Sequence, residues 1–189
     1  MRIIGLTGCA RSGKDTVAEM LLRTRAWPGP VERLSFAAPI KRFCREVFGW
    51  TEEHTDGALK EAPLKDWTRP SGTPLTPRFA MQTLGTEWGR NCDPDMWVKA
   101  LLIEAAKLRQ TNTQLCIVTD VRFVNEAAAL RGAGGEIWRI AREVPVMTHP
   151  SESEIWSAAM HSLVTVDIDN RGALVDTREQ VAKALARGL

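Results

Sequence analysis

Apolar residues recur along this chain in two rhythms. Short continuous runs read as strands: Ile3 to Thr7, Val31 to Phe36, Leu115 to Thr119, Ile137 to Ile140 and Leu163 to Ile168. Between them, apolar residues spaced by three and four read as helices. Val17, Met20 and Leu21 predict a helix reaching about Arg25, where Trp27-Pro28-Gly29-Pro30 breaks the pattern. Pro39 opens a second helix carrying Ile40, Phe43, Val47 and Phe48. Phe79 to Trp88 is a third. Asp93 is a good N-cap with Pro94 behind it, and Trp97, Leu101, Ala105 and Leu108 mark one face of a helix ending near Gln110. Glu126 to Arg131 is helical and is stopped by Gly132, Gly134 and Gly135. Leu174 to Ala186 is the last helix. Two stretches fit neither rhythm. Residues 50–77, rich in Pro, Thr, Gly and charge, read as a long excursion rather than core, and residues 142–161 read as polar and irregular.

Strands alternating with helices predict an α/β fold: a mostly parallel sheet covered by helices on both faces. In such sheets ligands bind beyond the carboxyl ends of the strands. The segment that follows the first strand is Gly8-Cys-Ala-Arg-Ser-Gly-Lys-Asp-Thr16. Two glycines let the backbone fold back and aim its N–H groups inward, and the helix behind them adds its positive end. Lys14 supplies a point charge for outer phosphates. The spacing G-x-x-x-x-G-K is complete, so this loop is expected to cradle phosphate. One position departs from the pattern: Asp15 stands where Ser or Thr is usual. A carboxylate there should repel phosphates without a metal and could ligate Mg²⁺ with one. Thr16 cannot take over, because one step along a helix turns the side chain by about 100°.

The other strand ends bring further candidates to the same rim. Asp120, closing its strand, can hold Mg²⁺ through water or pair with Arg122, and the two roles are compatible. Arg11, Lys14, Lys41, Arg78, Arg122 and Arg142 are cations of the kind that align and neutralise phosphates. Gln82 could read a base edge. Trp88 and Trp97 are suited to stacking on a base or to core packing, with packing favoured for Trp97. His149 and His161 could be lid switches or ordinary loop polar groups, and Cys9 could be redox-sensitive, with a small filler of the glycine loop the favoured reading.

Composition narrows the classes. Lys plus Arg total 25 against 23 for Asp plus Glu, with no basic block, which argues against a nucleic-acid polymer as partner. Cys9, Cys44, Cys92 and Cys116 are widely spaced without C-x-x-C, so neither a metal knuckle nor a disulfide framework is expected, and a reducing cytoplasm fits. No signal peptide or bilayer-spanning run is apparent. At 189 residues a single domain with small inserts is the simplest organisation.

The motifs resemble, in order, those of the deoxynucleoside monophosphate kinases of tailed bacteriophages. Arg11-Ser-Gly-Lys-Asp-Thr16 is similar to that family's phosphate loop. Ala38-Pro-Ile-Lys41, Met81-Gln-Thr-Leu-Gly-Thr-Glu87, Asp95-Met-Trp-Val-Lys99, Ile117-Val-Thr-Asp-Val-Arg122 and Thr148-His-Pro-Ser-Glu152 resemble its later motifs. The chain is shorter than the family between the second-strand helix and Arg78. The resemblance implies a P-loop NTPase three-layer fold across 1–189, with a substrate-binding insert at about 50–90 and a lid at about 142–161. It implies transfer of the ATP γ-phosphoryl group, with Mg²⁺, to a deoxynucleoside monophosphate, in the cytoplasm (a host's, if viral). Carried over by position, Gly8, Arg11, Ser12, Gly13, Lys14, Asp15 and Thr16 would hold ATP phosphates, with Asn170 near the adenine. Ile40, Lys41, Arg78, Gln82, Gly85, Thr86, Arg122 and Glu126 would bind the acceptor. Lys14, Arg122 and Arg142 would be catalytic, Arg142 also opening the lid, and Asp15 and Asp120 would hold the metal. A homodimer is compatible with this reading.

Two rivals remain at this stage. One is a small-metabolite kinase on the same architecture, of phosphomevalonate or dephospho-coenzyme A type. The other is an NTP-driven switch or motor, against which stand the missing Asn-Lys-x-Asp motif and the Asp120-Val-Arg122 sequence where a motor usually has an acidic pair.

Overall fold

The structure, a computed structural model, describes residues 1–24, 26–142 and 154–187. They fall into two compact units, Met1–Phe36 with Leu101–Leu189, and Ala37–Ala100.

The first unit is the sheet. Strands β1 (Arg2–Thr7), β2 (Val31–Leu34), β3 (Leu115–Val121), β4 (Glu136–Ala141) and β5 (Val166–Asp169) lie in the order β2-β3-β1-β4-β5, and every neighbouring pair is parallel. All five carboxyl ends therefore open on one rim. The central strands β1 and β3 are apolar on both faces because helices cover both, which is why they read as continuous runs rather than alternations. Ile4, Leu6, Val17, Leu21, Leu115, Ile117, Trp138, Ile140 and Ile168 form the main core with Val181 and Leu185. Each such aliphatic side chain contributes about 1.5–3 kcal/mol by leaving water. Gly5 permits a close approach on one face: a Cβ there would lie 2.7 Å from Leu130 Cδ1.

Helix α1 (Lys14–Leu22) follows the glycine loop, and Arg25, the expected end, lies outside the described residues. The second unit begins with α2 (Ala38–Phe48) and continues through α3 (Glu52–Thr55), a 3₁₀ turn (Ala58–Glu61), α4 (Pro77–Gln82), a π-helix (Thr83–Gly89) and α5 (Arg90–Cys92). Ile40, Cys44, Trp50 and Met81 are its core, with Phe48, Leu64, Leu84 and Trp97 packed around them. Two expectations are corrected. Phe43 and Val47 are exposed, because the buried stripe of α2 runs through Ile40 and Cys44 instead. The 50–77 stretch is not all excursion, since Trp50 and Thr55 are buried in this unit's own core.

Helix α6 (Met96–Arg109) starts in the second unit and continues in the first, with Val98, Leu101 and Ala105 buried. The Asp93 carboxylate accepts from the Asp95 N–H at 2.9 Å just before it. Helix α7 (Val124–Gly132), α8 (Ala158–Leu163) and α9 (Leu174–Ala186) complete the first unit. The 142–161 segment is not irregular throughout: Glu154–Trp156 makes a 3₁₀ turn before α8, and Ile155 and Met160 are fully buried. Leu163 ends α8 rather than opening the last strand, which starts at Val166. Among the described residues, no helix is long and apolar enough to cross a membrane.

Candidate active site

The glycine loop leaves the carboxyl end of β1, the central strand. The chain passes from β1 across β3 to edge strand β2, and later from β3 across β1 to β4. The loop therefore sits at the topological switch point, where α/β sheets open a crevice for ligands. Its backbone is folded as the glycines predict. Gly8 and Gly13 have φ of 142° and 99°, and Arg11 also has positive φ, at 63°. Neither glycine can be replaced without a clash. A Cβ on Gly8 would lie 2.6 Å from the Ile140 carbonyl oxygen, and one on Gly13 would lie 2.1 Å from Asn170 Nδ2.

Lys14 folds back over this loop. Its Nζ donates to the carbonyls of Gly8 at 2.7 Å and Cys9 at 2.6 Å. The ammonium is thus stationed above the loop by backbone dipoles, at the N-terminus of α1, where an anion is favoured. Ser12 Oγ and Thr7 Oγ1 are buried with no hydrogen-bond partner among the described residues.

Asn170 holds the loop from the β5 side. Its Nδ2 donates to the Ser12 carbonyl at 2.8 Å, and its Oδ1 accepts from the Thr177 hydroxyl at 2.9 Å. Both ends of the amide are thereby committed. Asn170, expected near the adenine, thus also braces the phosphate loop. Thr16 also lines a groove of about 540 Å³ between α1 and α9, with Met20, Leu174, Arg178 and Val181.

The β3 edge supplies the acid and the arginine. The pairing of β1 with β3 slips between Gly5–Val118 and Thr7–Val121, so β3 carries one extra residue in the Thr119–Asp120 stretch. Such bulges re-aim side chains at sheet rims. Asp120 Oδ1 accepts from the Phe36 N–H at 2.8 Å, which ties the carboxylate to the end of β2. Glu126 is only 3% exposed, and its Oε2 accepts from the backbone N–H groups of Arg122 at 2.8 Å and Phe123 at 3.1 Å. It caps α7 and fixes the backbone that carries Arg122. Through this buried cap, Glu126, expected among the acceptor-binding residues, holds the backbone next to Arg122. Arg122 is half-buried, and Arg142 is exposed just past the end of β4. Residues 143–153, with Thr148, His149 and Glu152, lie outside the described residues.

One more residue, which no motif marks, belongs to this rim. Arg33, on β2, forms an ion pair with Asp15, and its Nε lies 3.4 Å from Thr119 Oγ1. The carboxylate that departs from the usual Ser or Thr is thus matched by a guanidinium. Nothing in a four-residue strand of sequence Val-Glu-Arg-Leu marks this pairing in advance.

The second unit places its own candidates around α2, α4 and the π-helix. Lys41 pairs with Asp56, and Arg78 pairs with Glu61. Burial by itself would raise the Asp56 carboxyl. Hydrogen bonds from Lys41 and Thr55, with the charge of Lys41, bring it below its ordinary value instead. Gln82 is the last residue of α4, and Gly85 and Thr86 lie in the π-helix that follows. A π-helix is rare and is frequent at functional sites. Here it is pinned from inside: the Trp97 indole N–H donates to the Gly85 carbonyl at 2.7 Å. Trp97 is therefore a packing residue, as its helical spacing suggested. Ile40 is also mainly core, and a Cβ on Gly85 would lie 2.9 Å from its Cδ1. Pro39, Ile40, Phe43, Leu84, Trp88 and Trp97 line an apolar cavity of about 410 Å³ within this unit.

Three comparisons bear on this arrangement. A family model described as deoxynucleotide monophosphate kinase matches residues 58–165. A protein of Acanthamoeba polyphaga mimivirus, provisionally named a deoxynucleotide monophosphate kinase, is 33% identical over 180 residues, covering 88% of this chain and 89% of its own. The solved dephospho-CoA kinase of Campylobacter jejuni superposes with a TM-score of 0.52 at 12% identity, covering 99% of this chain and 97% of that one. At that identity the last likeness shows the shared fold alone.

Proposed function

The chain belongs to the deoxynucleotide monophosphate kinase family, and from that premise we propose which of its residues carry the transfer of the ATP γ-phosphoryl group to a deoxynucleoside 5′-monophosphate. The observation that carries the assignment is the loop Gly8–Lys14 at the carboxyl end of the central strand, with Lys14 stationed over it. Backbone N–H groups of the loop and the start of α1 would hold the β- and γ-phosphates, and Lys14 would exchange its two carbonyl partners for phosphate oxygens. Asn170 braces the loop and would act on ATP through Ser12 and Gly13 rather than by touching the base.

The acceptor needs little activation. A phosphate monoester has its second ionisation near pH 6, so at neutral pH its oxygen is already a nucleophile. That oxygen attacks the γ-phosphorus, the bond to the β–γ bridging oxygen breaks, and ADP leaves. Catalysis then rests on alignment and on neutralising charge that spreads over the transferring group. Arg122 would serve this, its backbone fixed by the Glu126 cap, and Arg142 would join it from the end of β4. In the second unit, Lys41, Arg78, Gln82 and Thr86 would bind the acceptor. Lys41 and Arg78 would trade their pairing with Asp56 and Glu61 for the monophosphate.

Asp15 and Asp120 fit a magnesium ion in kind. Both are carboxylates at the rim, and Mg²⁺ prefers oxygen ligands while keeping several waters, so two protein groups suffice. When bound, it would screen the phosphate oxygens during transfer. An ADP-release assay over all deoxy- and ribonucleoside monophosphates tests the reading, with phosphomevalonate and dephospho-coenzyme A as controls. ADP formation dependent on a deoxynucleoside monophosphate is expected. ADP formation only with a control acceptor would overturn it.

A further inference from the structure

Asp15 and the nucleotide phosphates compete for the same place. Both are anions, and both are drawn to the first turn of α1, where the helix end is positive. A bare carboxylate beside Lys14 would cancel much of the charge that the loop offers to a phosphate. The structure contains a counterweight. Arg33 reaches from β2 to pair with Asp15, and it is steadied on its other side by Thr119 of β3, a 6% exposed residue beside Asp120. The guanidinium is therefore held by two elements that end on the nucleotide rim, rather than floating as an ordinary surface charge. Asp15, by contrast, is 82% exposed at its side chain, so burial does not require its pairing.

We propose that Arg33 is a positioning residue for the nucleotide. It keeps the Asp15 carboxylate neutralised, so that the phosphate loop accepts a triphosphate before any metal arrives. The pair replaces the neutral Ser or Thr hydroxyl usual at this position with two opposite charges of equal net value. This also modifies the expectation that the Asp15 carboxylate repels phosphates when no metal is present: that penalty should emerge only when Arg33 is removed. The inference rests on the loop being an ATP site, as argued above, but not on the identity of the acceptor.

The test is ATP binding by calorimetry, without acceptor, in EDTA and again in excess Mg²⁺, for wild type, Arg33→Ala, Asp15→Ser, the double variant and Arg33→Lys. In EDTA, Arg33→Ala should weaken ATP by about tenfold or more, because it leaves an anion facing an anion. The double variant should bind within about threefold of Asp15→Ser, since removing the carboxylate removes the need for its partner. Excess Mg²⁺ should shrink the Arg33→Ala defect, and Arg33→Lys should recover most of the affinity. Equal losses from Arg33→Ala in wild type and in the Asp15→Ser background would overturn the proposal, because Arg33 would then act on phosphate or on the strand directly. Unchanged binding in Arg33→Ala would overturn it as well. Thermal unfolding of each variant separates either result from misfolding. Failure of wild type to bind ATP would refute the ATP site itself, and a failure confined to phosphorylation of monophosphates would concern the acceptor reading alone.

Discussion

Gly13 shows how much one missing methyl group decides. Its φ of 99° suits a residue without a Cβ, and the space a Cβ would take is filled by the Asn170 amide. Gly13→Ala should therefore push Asn170 off the Ser12 carbonyl and distort the loop. A fall in melting temperature of several degrees with a loss of ATP affinity is expected, read by thermal unfolding with and without ATP. Asn170→Ala should cost ATP affinity too, although its side chain is already committed within the protein. On the proposed reading, Lys14 and Arg122 meet the transferring phosphoryl group itself. Lys14→Ala and Arg122→Ala should each lower turnover by roughly 10²-fold or more, as loss of a group that stabilises transition-state charge does. A near-normal rate for Arg122→Ala in the ADP-release assay would remove it from the site.

Among the elements, the π-helix Thr83–Gly89 and the short helices around it bind four of the acceptor candidates to one packing problem. Trp97→Phe keeps an aromatic side chain, though a smaller one, and leaves the buried Gly85 carbonyl without its donor, which should destabilise the protein by about 1–2 kcal/mol in urea unfolding. The Lys41–Asp56 pair adds a pH signature. A carboxyl held below its unfolded value contributes stability that is complete above that value and is lost as pH falls through the folded one. Below pH about 4 the melting temperature of wild type should therefore fall more steeply than that of Asp56→Asn. The effect should be modest, because the pair is partly open to water. At this scale the sequence was readable where spacing carries the physics. The glycine loop, the two-face burial of β1 and β3, and the last helix Leu174–Ala186 all follow from patterns of size and polarity. The π-helix was not readable, since seven residues are too few for the apolar spacing to separate an i→i+5 turn from an i→i+4 one. Nor was the stripe of α2, whose apolar Phe43 and Val47 face solvent while Cys44 is buried. Pairings across the fold were hidden for a different reason. Arg33 with Asp15, and Asn170 with Ser12, depend on which strand ends lie side by side, and that order is set by the whole sheet.

For the molecule as a whole, the sheet order makes one rim of five strand ends, and the residues that matter most in the first unit are loops and first helical turns on it. Fold likeness to a dephospho-CoA kinase does not choose a substrate, because one architecture serves many acceptors. What chooses it here is the family to which the chain belongs, joined to a phosphate loop whose geometry suits a nucleotide. The most direct measurement follows the phosphoryl group itself. With ATP labelled at the γ-phosphate, a deoxynucleoside monophosphate and Mg²⁺, the account predicts that the label appears on the deoxynucleoside diphosphate, one for each ADP formed. Label released as inorganic phosphate at the same rate with or without the acceptor would contradict it.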